Sequence, residues 1–247
     1  MSEQCTGHRS AIVFDLDDTL FPLKEYIDGA CRRVADYVHT VYGLAIHNEL
    51  LEARFAETNT GAETEDALCG LERAIVTALG RHFKTIDVSL VNRLAHVYRS
   101  HVPSIDLYAD AARALALLRA LSIPVGLVPG GPSQSQRIKV AALGLAHLVD
   151  TIVYPAEMLG GNRTEAALRL IELQTGSPLA ETVFVGAPHS SFDSAKQAGM
   201  MTVLIRRATS THRIPPGNPS PKCDITVPSL KRITQLFTAP GGLAAAA

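Results

Sequence analysis

The chain has 247 residues, 47% hydrophobic and 19% charged, which is long and apolar enough for a large core domain with an insertion, or two small domains, and excludes a disordered chain. A formal net charge of −1, from 23 basic and 24 acidic residues, gives no electrostatic ground for a nucleic-acid or anionic-membrane partner. Cys5, Cys31, Cys69 and Cys223 are scattered without metal-ligand or disulfide spacing, the first ten residues hold no apolar leader, and no run approaches the ~20 apolar residues of a membrane helix, so a soluble cytoplasmic protein is expected.

In chain order, residues 11–14 form a short apolar run with the pattern of a central parallel strand, buried on both faces. The run ends at Asp15. Ligands in open α/β sheets bind beyond the carboxyl ends of the strands, so Asp15 and Asp17 are site candidates from position alone; the plainer reading is a D/T-rich turn. After Pro22 the periodicity becomes helical. Residues 24–42 carry Tyr26, Ile27, Ala30, Val34, Tyr37, Val38 and Val41 at i, i+3, i+4 spacing, with Gly43 as a stop, and the pattern recurs over 48–57, 65–83 and 88–101. The region 22–103 therefore reads as a helical insertion after the first strand, either a lid or a bundle without that role. Beyond it, helices over 109–121, 133–143, 164–174 and 190–198 alternate with strands over 125–128, 151–154, 182–185 and 201–205. That alternation is the mark of a doubly wound parallel sheet. Residues 208–222 read as a loop, 224–227 as an edge strand, 229–237 as a closing helix and 241–247 as a flexible tail.

The stretch D-L-D-D-T-L at positions 15–20 resembles the first motif, D-x-D-x-T, of the haloacid dehalogenase (HAD) superfamily. The stretches 98–110, 135–145 and 195–200 resemble phosphatase-like members, and the likeness runs from about Ala11 to Phe237. The resemblance implies an α/β, Rossmann-like core over 1–21 and 104–240, with a helical cap over 22–103. It also implies that Asp15 is the nucleophile, that Asp17 protonates the leaving alkoxide and later accepts a proton from water, and that Thr19 holds the turn. Both carboxylates must reach one phosphorus from opposite sides of the in-line path, which explains the spacing. Asp18 is expected to face solvent or to cap locally.

The later motifs depart from the family pattern. Its second motif places a hydroxyl residue at the end of the second core strand, where this chain reads L-V-P-G-G, and Pro129 offers neither hydroxyl nor N–H. Gly130 and Gly131 are candidate anion-binding amides in its place, or only a turn. The family's third-motif lysine falls on Asn162, with Arg163 next to it as a candidate cation or a solvent-facing residue at a helix start. Lys139, on the helix after the second motif, is either a substrate-binding residue leaning inward or a surface lysine. The acidic pair of the fourth motif falls on Ala187 and Ser191, and Asp193 is the substitute metal ligand beside Asp15 and Asp17, although it sits about 200° around a helix from position 191. His189 is a local polar candidate or an exposed loop residue.

Mg²⁺, which favours near-octahedral oxygen coordination, is therefore expected to bind weakly or not at all. The expected function is a phosphatase-type hydrolase acting on a small phosphorylated metabolite through an aspartyl-phosphate at Asp15, with low or altered activity. One alternative is a catalytically degenerate HAD-fold binding or regulatory protein with a protein partner. The other is an Mg²⁺-independent dehalogenase-like hydrolase, against which Asp17 counts, because such enzymes usually lack the second aspartate.

Overall fold

The computed structural model describes residues 9–58, 67–188, 190–211, 222–231 and 233–238. Its centre is β1 (Ala11–Phe14), four apolar residues that are all buried. The other strands are β2 (Val125–Leu127), β3 (Thr151–Ile152), β4 (Thr182–Gly186), β5 (Met201–Ile205) and β6 (Ile225–Val227). Every pairing is parallel, in the order β3-β2-β1-β4-β5-β6. The chain winds outward from β1 in one direction through β2 and β3, and in the other through β4, β5 and β6. The topological switch point, where such sheets open a crevice, therefore lies between β1 and β4 at their carboxyl ends.

Alternation along the strands divides the interior in two. Val13, Phe184 and Leu204 face one side, against Ala167, Leu168 and Ile171 of α7 (Arg163–Thr175) and Phe192 and Ala195 of α8 (Phe192–Gln197). Ile12, Phe14, Leu127, Val183, Val185 and Val203 face the other, beneath α5 (Ala109–Ala120), α6 (Ser133–Ala142) and the helices inserted after β1. Gly126 pairs with Val13 in register and faces Ile171, whose Cδ1 and Cγ2 would lie 3.0 Å from an added Cβ, a tight contact.

The inserted helices are α1 (Leu23–Tyr42), α2 (His47–Thr58), α3 (Ala67–Leu79) and α4 (Val88–Arg99). They pack on one another in sequence, and α4 returns to α1. The stripe on α1 forms as its spacing predicts: Tyr26, Ile27, Ala30, Val34 and Val38 are buried, while Tyr37 is half-buried and Val41 exposed. Gly43 stops α1 in the left-handed region at φ 71°, its N–H donating to the His39 carbonyl. Asp87 caps α4 by accepting from the Ser89 amide at 2.9 Å.

Several predicted boundaries shift. The strand expected over 151–154 stops at Ile152, because Tyr154 leads into a 3-10 turn begun by Pro155. The last core helix begins at Phe192 and leaves Ser190 and Ser191 outside it. Of the closing helix expected over 229–237, the described residues are helical in α9 (Gln235–Thr238). Residues 59–66, which include the expected start of α3, the loop portion 212–221 and the tail 241–247 lie outside the described residues.

Candidate active site at the tip of the first strand

Asp15 continues the ladder of β1, its amide donating to the Val185 carbonyl at 2.9 Å, while the Val128 amide donates to the Phe14 carbonyl. The carboxylate is thus held at the switch point by backbone pairing on both sides. Asp15 is 4% exposed, and Ser190 Oγ donates to its Oδ2 at 2.6 Å. Ser190 was not among the residues singled out in the sequence. Its one signal is its place in the V-G-A-P-H-S-S segment after β4, and nothing local separates it from Ser191. Gly186, at the end of β4, is required there because the Ser190 side chain fills the space a Cβ would take.

Leu16, Leu20 and Phe21 are fully buried and anchor the turn after Asp15, with the Leu20 amide donating to the Leu16 carbonyl at 3.0 Å. This anchoring turns Asp17 toward α6. Lys139 Nζ donates to both Asp17 oxygens at 2.8 Å, and Gln136 Nε2 donates to Oδ2 at 3.0 Å. Gln136 and Lys139 are three residues apart, so they share one face of α6. The surface reading of Lys139 is therefore corrected. Its side chain is 5% exposed, and its ammonium also lies 4.4 Å from the centre of the Tyr26 ring. Burial pushes the Tyr26 hydroxyl up to about 12, with Ser135 opposing the shift, so that ring presents a neutral phenol to the ammonium.

The Gly130 carbonyl accepts from Gln136 Nε2. Gly131 adopts φ 90°, a conformation that favours glycine, and the two let the chain turn from β2 into α6. Thr19 is fully buried, and its hydroxyl has no hydrogen-bond partner among the described residues. Its turn is held instead through its carbonyl, which accepts from Arg207 Nη2 at 2.8 Å. Asp18 does not face solvent. It is buried at φ 55°, and its carboxylate accepts from the Leu23 amide at 3.1 Å, from Ser210 Oγ at 2.9 Å and from the Thr211 amide at 2.7 Å, so it caps α1 and fastens a distant loop.

The remaining candidates belong to α7, to α8 and to the segments just before them. Asn162, at the family's lysine position, caps α7, its Oδ1 accepting from the Glu165 amide at 3.1 Å and from Ser194 Oγ at 3.2 Å. Arg163 is exposed in the first turn of that helix. Asp193 is exposed on α8, because Phe192 and Ala195 bury the opposite face, Phe192 edge-on to Phe184 at 5.6 Å. Among the described residues no group of three His, Cys, Asp or Glu side chains converges, so Asp15, Asp17 and Asp193 do not form one ligand set. Ala187 is fully buried, Ser191 lies 3.4 Å from Thr164 Oγ1, and His189 is outside the described residues.

The donor set does not fit Mg²⁺, which takes oxygens at about 2.0–2.1 Å in a near-octahedral shell. Asp15 and the backbone carbonyl of Asp17 are the protein oxygens on offer: both Asp17 side-chain oxygens face an ammonium, one Asp15 oxygen holds a hydroxyl, and no third carboxylate converges among the described residues. What the arrangement presents instead is a buried carboxylate aligned by a serine, beside a second carboxylate neutralised by a lysine.

The family model of haloacid dehalogenase-like hydrolases matches residues 10–199, and the chain belongs to that family. Solved structures with the same fold include a predicted phosphoglycolate phosphatase from Haemophilus somnus, 19% identical, TM-score 0.64, covering 92% of this chain and 97% of that one. A HAD phosphatase from Thermococcus onnurineus is 20% identical, with TM-score 0.62 over 92% and 97% of the two chains. The L-2-haloacid dehalogenase of Xanthobacter autotrophicus is 21% identical, with TM-score 0.58 over 93% and 98%. No helix among the described residues is long and apolar enough to cross a membrane.

Proposed function

We propose that this HAD-family hydrolase is of the phosphatase type and cleaves a small phosphomonoester through a covalent aspartyl-phosphate. The observation that carries the reading is the delivery of Asp15 and Asp17 from one strand tip at the switch point of the sheet, each with its own polar partner. In the first step an Asp15 oxygen forms a bond to phosphorus and the ester P–O bond breaks, the leaving alkoxide taking, by way of Asp17, the proton that the Lys139 ammonium passes to that carboxylate. In the second, water attacks the phosphorus of the aspartyl-phosphate while Asp17 takes its proton and returns it to Lys139, and inorganic phosphate leaves with the Asp15 carboxylate and the Lys139–Asp17 ion pair restored. Ser190 orients Asp15, and Lys139 and Gln136 hold Asp17. The inserted helices α1–α4 serve as the lid that selects the substrate, a small phosphorylated metabolite. Cys31 and Cys223, both free, support a cytoplasmic setting.

A second reading, dehalogenase-like attack of Asp15 on carbon, is favoured by one observation, the pairing of an ammonium rather than a carboxylate cluster with Asp17. The test compares wild type with Asp15→Asn on a generic phosphomonoester and on a 2-haloacid. The proposal expects phosphate release that Asp15→Asn abolishes, together with one phosphoryl group trapped on the peptide bearing Asp15. Halide release without phosphate release selects the dehalogenase reading. Equal, background-level signals from both proteins select a degenerate binding protein.

A further inference from the structure

We propose that the Lys139 ammonium takes the place of a divalent cation, so that this site is built to work without a metal; the inference rests on the Asp15/Asp17 reading above. Two carboxylates at one strand tip repel each other and repel an anionic substrate, so such a site needs local positive charge. In HAD phosphatases Mg²⁺ commonly supplies it. In this chain the fourth-motif positions hold Ala187 and Ser191, and the family's lysine position holds Asn162, engaged in capping α7. The positive charge arrives from another helix, by way of α6.

The geometry is that of a built-in cation rather than a surface ion pair. Lys139 Nζ lies 2.8 Å from each Asp17 oxygen, with side-chain exposures of 5% for the lysine and 14% for the aspartate. The Tyr26 ring at 4.4 Å and the Phe21 ring at 5.9 Å stand against the same ammonium, and their faces favour a cation. Gln136 occupies a further approach to Asp17 Oδ2. A metal ion held by Asp15 and the Asp17 backbone carbonyl would sit close to a hydrogen-bonded ammonium of like charge, in a site that offers no third carboxylate among the described residues. Lys139 is a positioning residue in this scheme, acting on Asp17 and on the charge of the cleft.

The test is a titration of the full chain with Mn²⁺, read by electron paramagnetic resonance, so it requires no turnover. Wild type is expected to show no saturable binding into the millimolar range. Lys139→Ala is expected to bind at least tenfold more tightly, and Asp15→Asn or Asp17→Asn in that background is expected to remove the gain. Saturable Mn²⁺ binding to wild type that Asp15→Asn abolishes overturns the inference, and that comparison stands even where Lys139→Ala fails to fold. A folded Lys139→Ala variant with no gain also overturns it. Phosphate release that continues in EDTA supports both this inference and the proposed function. Release that requires Mg²⁺ overturns this inference alone, and the absence of any release leaves the Mn²⁺ comparison to decide.

Discussion

Ser190 Oγ donates to Asp15 Oδ2 at 2.6 Å across 175 residues of sequence, and the contact exists because Gly186 leaves the space for it. On the proposed mechanism this hydrogen bond orients the Asp15 oxygen that attacks phosphorus, and a contact of that kind affects the rate far more than it affects folding. Ser190→Ala is expected to lower kcat about tenfold to a hundredfold with a small effect on stability. Gly186→Ala should produce a similar loss by pushing Ser190 aside. The double variant should lose little more than either single, since both remove one interaction. Steady-state kinetics on the three proteins is the check, and additive losses would mean that Gly186 acts on something else.

Arg207 ties three parts of the chain together. Its guanidinium binds the Asp110 carboxylate at 3.0 and 3.1 Å and the Thr19 carbonyl at 2.8 Å, and it stacks 3.7 Å from the centre of the Tyr108 ring. The two side chains are 7% and 10% exposed, so removing the cation leaves a carboxylate poorly solvated. Arg207→Met is expected to destabilise the fold by about 3–5 kcal/mol, seen as a lower urea midpoint at an unchanged slope. A change below about 1 kcal/mol, the scale of an exposed pair, would mean that water replaces the contact.

Gly126 sits in β2 under Ile171, where an added Cβ would lie 3.0 Å from both Cδ1 and Cγ2. Overpacking of this kind costs about 1–3 kcal/mol, and Gly126→Ala should show it in denaturant melts. Ile171→Val removes the Cδ1 contact, so the double variant should be less destabilised than the sum of the two singles. Full additivity would place the cost in the backbone instead of the side-chain contact.

His101 is buried against Tyr26, with ring centres 4.6 Å apart, and its Nδ1 donates to the Tyr98 carbonyl at 2.9 Å. Burial pushes this imidazole below its ordinary range, and Lys139 adds to the shift. The unfolded chain therefore binds the proton more readily than the folded one. The contribution of His101 is complete above the unfolded value of about 6.5 and is lost as pH falls below it toward the folded value. Urea melts at about pH 5 and about pH 8 should show a larger stability difference for wild type than for His101→Asn. An equal difference in both would mean that His101 is protonated without penalty.

Much of the fold was legible because its signals are local. The four apolar residues of β1, the stripe on α1, the stop at Gly43 and the helix–strand alternation after Tyr108 are each set by neighbours within a few positions. The short elements were less legible. Asp224 accepts from the Thr202 amide and hydroxyl at 2.7 Å and so fastens β6 to β5, a contact that no local pattern announces. In the site, Asp15 and Asp17 were readable from strand-end position and spacing. Of the two readings of Asp18, local capping holds at the Leu23 amide and solvent exposure does not, because its other partners Ser210 and Thr211 lie more than 190 residues away.

The sequence by itself determined that this is an α/β chain whose first strand carries an aspartate to its tip, because strand burial, helix periodicity and turn chemistry depend on residues close along the chain. Only the tertiary structure decided the partners of the carboxylates. Lys139 reaches Asp17 across 122 residues, and Ser190 reaches Asp15 across 175. Those meetings follow from the sheet order, which sets the start of α6 and the loop after β4 on either side of one strand tip. An ion pair at 2.8 Å is a property of that three-dimensional convergence, and residue spacing does not encode it.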